Sequence, residues 1–327
     1  MGENAKGRVK DNACSGVCRA TEVLEHIPVL VNEVVSFLEP CFEIGTIVDA
    51  TVGGGGHSAA ICERMVVKGI KGQVVGIDID PEAIAQAELK LAKFGCEIVD
   101  ERSEVKGLKK MVLLVHSSYV NIEEIVERLA VKPVAGVLLD LGISAIQLNP
   151  KRGFSFDQDG PLDMRFNPDT GPSAREILLK SSVVDLKRWF MVYGDEPFAG
   201  RIARRVYQLR RNIRTTRELA EAISSVVPKR RLRHTLARVF QALRIVVNKE
   251  LENLKLALRA AVRIISPGGR LLVVCYQSGE DRCVKELIRL EKERIKALTA
   301  KPIRPSTEEI KVNPRARSAR LRVMERR

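Results

Sequence analysis

The feature that most constrains this chain is a β-branched run, Thr46-Ile47-Val48-Asp49-Ala50, that passes directly into Thr51-Val52-Gly53-Gly54-Gly55-Gly56-His57. Successive β-branched residues read as a strand, and four successive glycines break it sharply. Residues 58–65 regain helical character, and Gln73-Val74-Val75-Gly76-Ile77-Asp78 reads as a second strand. Pro81 suits the first position of the following helix, over Glu82 to Phe94, with Asp80 as its N-cap. Met111 to Val115 and Ala135-Gly136-Val137-Leu138-Leu139-Asp140 supply a third and a fourth strand, and Leu30, Val31, Val34, Val35 and Leu38 recur at helical spacing before the first. Strands alternating with helices need right-handed crossovers and therefore a parallel sheet.

The alternation is interrupted. From about residue 143 to 248 Arg-rich helical segments replace the strand signals, and Gly268-Gly269-Arg270-Leu271-Leu272-Val273-Val274-Cys275 then resumes the sheet. The expected organisation is a loose polar tail over residues 1–20, an α/β domain from 21–142 and 249–327, and an inserted helical subdomain at 143–248. The net charge of +14 argues for a polyanionic partner rather than for any fold. Residues 201–244 carry 13 Lys/Arg against Glu218 and Glu221, and residues 311–327 carry seven against Glu325. Either run alone describes a solvated helix face; two together favour phosphate binding. Seven scattered cysteines give no disulfide framework, and Cys14-x3-Cys18 has no second pair with which to hold a metal. With no apolar run long enough for a membrane span and no signal-peptide core, the expected location is cytoplasmic.

Glycines in a strand-to-helix turn let a cofactor approach the backbone closely. Asp49-x-Thr51-x-Gly53-x-Gly55 is similar to the methyltransferase loop Asp-x-Gly-x-Gly-x-Gly, with Thr51 replacing its first glycine. The dinucleotide fingerprint fits less well, because Ser58 stands where its third glycine would fall. Asp78, 25 residues beyond Gly53 and ending a strand, suits the ribose hydroxyls of an adenosine cofactor, while Asp80 satisfies the helix cap. Asp140 ends the fourth strand and points into the cleft. There it either accepts the N–H of a substrate amine or orients the cofactor's amino-acid end, and the sequence leaves both open.

The stretch Arg152-Gly153-Phe154-Ser155-Phe156-Asp157-x-Asp159-Gly160-Pro161-Leu162-Asp163-Met164-Arg165 makes the likeness specific. With His26-Ile27-Pro28-Val29-Leu30, Gly53-Gly54-Gly55-Gly56-His57-Ser58, Phe240-Gln241-Ala242-Leu243-Arg244 and Asn313-Pro314-Arg315-Ala316-Arg317-Ser318, it resembles the RsmH (MraW) family from about residue 26 onward. The resemblance implies a Rossmann-like class I S-adenosylmethionine methyltransferase sheet and methylation of a cytidine N4 in the decoding region of 16S, small-subunit, ribosomal RNA. It implies S-adenosylmethionine contacts at Gly55, Gly56, His57, Asp78, Tyr119, Asp140 and Gln147, with Tyr119 standing where the family often has Phe. The partner it implies is ribosomal RNA or the ribosomal subunit; a homodimer is left open.

Three departures stand out. The family's Ser-Phe-His-Ser-Leu-Glu-Asp-Arg is here Cys275-Tyr276-Gln277-Ser278-Gly279-Glu280-Asp281-Arg282, Ser-Ser-Pro-Gln is Ser144-Ala145-Ile146-Gln147, and His-Pro-Ala-Thr-Arg is His234-Thr235-Leu236-Ala237-Arg238. In the insertion, Phe154 and Phe156 either stack a flipped base or anchor the core, and Arg201, Arg204 and Arg205 share one helix face suited to phosphates. Two other readings are a nicotinamide-dependent oxidoreductase, which leaves the Arg-rich insertion unexplained, and an RNA-binding assembly factor with an inactive cofactor fold, to which Thr51 and Gln277 lend support.

Overall fold

A computed structural model describes residues 27–99, 110–131 and 133–327. The proposed tail at 1–20, His26, Cys14 and Cys18 lie outside the described residues. Eight strands form one sheet: β1 Thr46–Asp49, β2 Val74–Asp78, β3 Cys96–Ile98, β4 Val112–His116, β5 Val134–Asp140, β6 Ile265–Cys275, β7 Ile295–Ala297 and β8 Arg320–Arg326. Their order is β3-β4-β2-β1-β5-β6-β8-β7, parallel throughout except that β8 runs antiparallel to both neighbours. The chain builds outward from β1 through β2 to β4 and then returns to the other side of β1 with β5. That reversal places a topological switch point at the carboxyl ends of β1 and β5, where ligands of such sheets bind. This is the doubly wound, Rossmann-like sheet that the alternation of strands and helices implied.

Period-two alternation sends successive residues to opposite faces, and both faces are covered. Val137 and Leu139 pack with helices α4 (Ile122–Leu129), α10 (Glu250–Ile264) and α11 (Ser278–Leu290). Leu138 packs on the other face, with α1 (Val31–Leu38), α2 (Gly56–Val67) and α3 (Pro81–Leu91). Asp80 caps α3 by accepting the Glu82 N–H at 3.1 Å, with Pro81 in the first turn. The apolar positions 122, 125, 126 and 129 give α4 its buried face, whereas the three-residue strands β3 and β7 are too short to carry a period.

Between β5 and α10 the chain forms α5 Ala174–Lys180, α6 Val183–Val192, α7 Ala199–Leu209, α8 Thr216–Ser224 and α9 Lys229–Asn248. Three of these start on capping boxes, Ser173/Glu176, Ser182/Asp185 and Thr215/Glu218. They enclose a separate core around Phe190, Ile202, Val206, Leu219, Ile223, Val239 and Leu243. One basic run has a structural explanation. Residues 320–326 are β8, in which Arg322 is buried against Asp281 and Arg326 donates to the Arg294 carbonyl, so these two are not free for phosphate. Arg315 and Arg317 of the same run are exposed. Among the described residues no helix is long and apolar enough to cross a membrane, and no group of three or more His, Cys, Asp and Glu side chains could hold a metal.

Candidate active site

Three parallel strands end in aspartate: Asp49 on β1, Asp78 on β2 and Asp140 on β5. A strand that stops at an acid brings that carboxylate toward the rim of the sheet, and at the switch point Asp78 and Asp140 line one cavity with Asp49 buried beneath it. The cavity measures about 670 Å³, within the range of small-molecule and cofactor sites. Its walls come from the glycine turn, the end of β5 and the loop after it, the inner ends of α9 and α10, the segment after β6, and the Asn313–Ser318 loop.

Within the turn the roles divide. Asp49 is buried, accepts from Ser58 Oγ at 2.7 Å and from the Thr51 N–H at 3.4 Å, and stays below the cavity, its carboxyl raised by burial. Thr51, in the place of a glycine, accepts the Asp140 N–H on Oγ1 at 2.6 Å and so stitches the turn to β5. Gly55 has φ +80°, and a Cβ there would come within 3.2 to 3.3 Å of Leu91 and Ala87 of α3. It is required for conformation and for the approach of α3, and it does not line the cavity, whereas Gly56 and His57 do.

Asp78 accepts the Gly53 N–H on Oδ2 and the Asp80 N–H on Oδ1, both at 2.9 Å. One lone pair of each oxygen remains for a vicinal diol. Burial pushes its carboxyl up to about 6, against those two N–H donors. Tyr119 offers an aromatic wall beside it. Asp140 accepts from the Tyr276 hydroxyl on Oδ1 at 2.9 Å, and Oδ2 lies 3.6 Å from His57 Nδ1. Burial raises this carboxyl too, to about 6, opposed first by His57 and then by Tyr276. His57 Nε2 is 2.9 Å from the Val29 carbonyl, so Nε2 carries the hydrogen and Nδ1 turns toward Asp140.

The loop after β5 is held by Asp80, which has no exposed surface. It receives Arg152 Nη2 and Gln147 Nε2, each at 2.9 Å, while Gln147 Oε1 accepts from the Ser144 N–H and Oγ. Gln147 lines the cavity with its amide committed to this network. Arg152 Nη2 also donates to the Phe166 carbonyl at 2.7 Å, and Asn248 Oδ1 accepts the Phe166 N–H at 2.8 Å. Phe166 thereby lines the cavity, and Phe154 stacks behind it at 5.6 Å with the rings nearly parallel.

The structure therefore gathers Gly56, His57, Asp78, Tyr119, Asp140 and Gln147, and leaves several sequence candidates elsewhere. Phe154 is buried in the helical core; Phe156 sits edge-on to Phe240 beneath Arg233; neither lines the cavity. The ring that the insertion contributes to the cavity is Phe166, which sequence reasoning missed although it directly follows the Asp163-Met164-Arg165 block. Arg201 and Arg204 are exposed on α7 away from the cavity, and Arg205 donates to Ser225 Oγ at 3.1 Å. Also missed were Arg244 and Glu250, a bidentate buried pair at 2.7 and 2.8 Å, and Glu280, which accepts from the Tyr276 and Gln277 N–H groups. Gln277, where the family pattern has histidine, donates to Glu280 at 2.9 Å and accepts from Gln241 at 2.8 Å.

A family model described as the MraW methylase family matches residues 23–327. Among curated proteins, the ribosomal RNA small subunit methyltransferase H of Pseudothermotoga lettingae is 42% identical over 308 residues, covering 92% of this chain and 98% of that protein. The proteins of the same name from Thermomicrobium roseum and Thermotoga neapolitana are each 41% identical, covering 92% of this chain and 93% and 95% of their own lengths. A family match over nearly the whole chain and identity of this extent, on a sheet whose switch point carries the glycine turn and three strand-end aspartates, have one reading: the chain belongs to the MraW methylase family.

Proposed function

We propose that this chain methylates the N4 amino group of a cytidine in the decoding region of small-subunit ribosomal RNA. Family membership makes it a methyltransferase with S-adenosylmethionine as methyl donor. The substrate is our inference, supported by the names of the relatives and by the acceptor at the cavity: Asp140, which lines the same cavity as Asp78 and Phe166.

When bound, the cofactor supplies an electrophilic methyl group on a sulfonium. Asp78 would hold the ribose hydroxyls on its remaining lone pairs, and Tyr119 would offer its ring to the adenine. Gly56 and His57 open α2, whose first N–H groups have no partner within the helix and serve polar groups of the ligand. Gln147 acts by fixing the loop after β5. The exocyclic amine of cytosine is a poor nucleophile because its lone pair is delocalised into the ring. Asp140 accepts its N–H, orients the nitrogen and receives the proton as the N–C bond forms, with Phe166 against the base. The rest of the rate comes from positioning in a site with little water.

We assign residues 143–248 as the RNA-recognition subdomain of a cofactor-binding domain formed by 21–142 and 249–327. Helix α9 supports this. Arg230, His234, Ala237, Gln241 and Arg244 follow one another at three- and four-residue spacing, so one face leads from an exposed basic end to two residues of the cavity wall. Arg230 and Arg231 are exposed and make no ion pair among the described residues. Arg201 and Arg204 are exposed on α7, and Arg315 is exposed where it lines the cavity. The test is transfer of labelled methyl from S-adenosylmethionine to small-subunit RNA, or to subunits, from cells lacking the modification, followed by nuclease digestion and mass mapping. N4-methylcytidine in the decoding region is the expected product. Incorporation into another nucleotide or atom, or none, overturns the proposal.

A further inference from the structure

We propose that Tyr276 is a positioning residue for methyl transfer: its hydroxyl, donated to Oδ1 of Asp140, keeps that carboxylate ionised and fixed as the acceptor of the amine proton. The inference rests on the reading of Asp140 given above and goes beyond it, because it assigns to this chain a hydroxyl that the family pattern, with phenylalanine at this position, lacks.

The ring is held in place from two sides. Its backbone N–H donates to Glu280 Oε2 at 2.7 Å, and its edge lies over Gly142, where φ is +122° and a Cβ would come within 3.3 Å of the ring. The hydroxyl then reaches Asp140 at 2.9 Å. From α2, His57 flanks the other oxygen, with its Nδ1 at 3.6 Å. From β1 the buried Asp49 acts on Asp140 in the opposite sense, disfavouring its ionisation, and behind the phenol Glu280 of α11 and Glu309 of α12 (Thr307–Val312) hold its proton on. A phenol whose ionisation is opposed by burial and by three acids is a donor only. It therefore favours the charged form of Asp140, against the burial that favours the neutral one.

Oδ1 of Asp140 accepts the phenol hydroxyl and keeps a second lone pair for the substrate, and Oδ2 has His57 Nδ1 3.6 Å away. As the C–S bond breaks and the N–C bond forms, the nitrogen sheds one proton to that lone pair, and His57 Nδ1 lies beside the newly formed acid. Without the Tyr276 hydroxyl the carboxyl would hold a proton at higher pH and donate to the amine rather than accept from it.

The experiment uses the full chain and Tyr276→Phe, which keeps the ring. The Asp140 carboxyl is titrated by carbon-13 NMR, assigned by its disappearance in Asp140→Asn, and the pH dependence of single-turnover methyl transfer is measured beside it. The hydroxyl's removal is expected to raise both the titration midpoint and the acid limb by about one pH unit. The variant then retains roughly a fifth of the wild-type rate at pH 6 and nearly all of it at pH 8. S-adenosylmethionine affinity at pH 8 stays within about twofold, which a general loss of structure would not allow. A midpoint that does not move, or one that moves without the acid limb, overturns the proposal. The titration needs no RNA, so a wild-type protein that transfers nothing to small-subunit RNA refutes the substrate reading separately.

Discussion

Replacing Arg152 by methionine tests how the loop carrying Phe166 is tied to the sheet. The guanidinium is 7% exposed, binds both oxygens of Asp80 at 2.9 and 3.4 Å, and donates to the carbonyls of Phe166 and Arg165 at 2.7 and 3.2 Å. Removing one partner of a buried pair costs about 3–5 kcal/mol, because the other charge is left uncompensated. Asp80 keeps Gln147 Nε2 and the Glu82 N–H, which places its share at the lower end of that range, about 3 kcal/mol. The two carbonyls, each in a part-buried hydrogen bond, lose their donor at about 1 kcal/mol or less each. The expected loss is therefore about 3–5 kcal/mol, read as a lower urea midpoint at unchanged slope. Asp80→Asn in the same chain removes the stranded charge, so the double variant should recover at least ~1.5 kcal/mol relative to additivity. A single-variant loss under about 1 kcal/mol, or strict additivity, would refute the reasoning.

Asp78 gives a pH prediction. Its folded carboxyl titrates near 6, above the ordinary 3.8, so the ligand-free fold holds that proton more tightly than the unfolded chain, and stability falls as pH rises from about 4 to about 6. The ribose hydroxyls need the ionised form; S-adenosylmethionine affinity should rise up to about tenfold per pH unit below 6 and level off near 7, with proton uptake or release detected by calorimetry in two buffers. An affinity flat from pH 5 to 7.5 removes Asp78 from the ribose. Asn248→Ala unties the Phe166 N–H and the Met164 carbonyl, each held at 2.8 Å; the KM for RNA should rise by roughly tenfold with donor affinity unchanged, and an unchanged KM would dissociate Phe166 from the substrate. Arg201→Gln with Arg204→Gln should lower the slope of log affinity against log salt by about 1 to 2, measured by filter binding; an unaltered slope excludes α7 from phosphate contact.

Those elements whose signal is local were legible in the sequence. β1, β2, β4, β5 and β6 fall on the β-branched and apolar runs, to within a residue or two except that β6 begins three residues early at Ile265, and Asp80 and Pro81 start α3 as capping chemistry dictates. The strand-end aspartates were readable because a parallel strand of known direction fixes which end faces the cavity. What was not legible depended on contacts between distant residues. Tyr276 and Asp140 are 136 positions apart, Arg152 and Asp80 are 72 apart, and no periodicity relates either pair. Phe154 and Phe166 illustrate the same limit. Both are aromatics of one glycine-bounded loop region, and only the fold distinguishes the ring that faces the cavity from the ring stacked behind it. The basic run ending at Arg327 misled for a related reason: its alternating Leu321 and Val323 carry a strand signal that the arginines between them obscured.

The segment from Ile27 to Leu30 is fastened by residues made some 280 positions later: Asn313 Nδ2 donates to the Ile27 carbonyl at 3.1 Å, and Glu309 Oε1 accepts the Leu30 N–H at 2.7 Å. Between these contacts and the glycine turn, His57 is anchored on the Val29 carbonyl. β8 likewise enters the sheet between two strands synthesised before it. On the ribosome, then, the chain displays its glycine turn early and can complete the roof over it only after residue 318 has emerged. The growing polypeptide passes most of its synthesis with that part of the cavity wall missing, so the complete enclosure is a property of the finished circuit rather than of the motif that announces it.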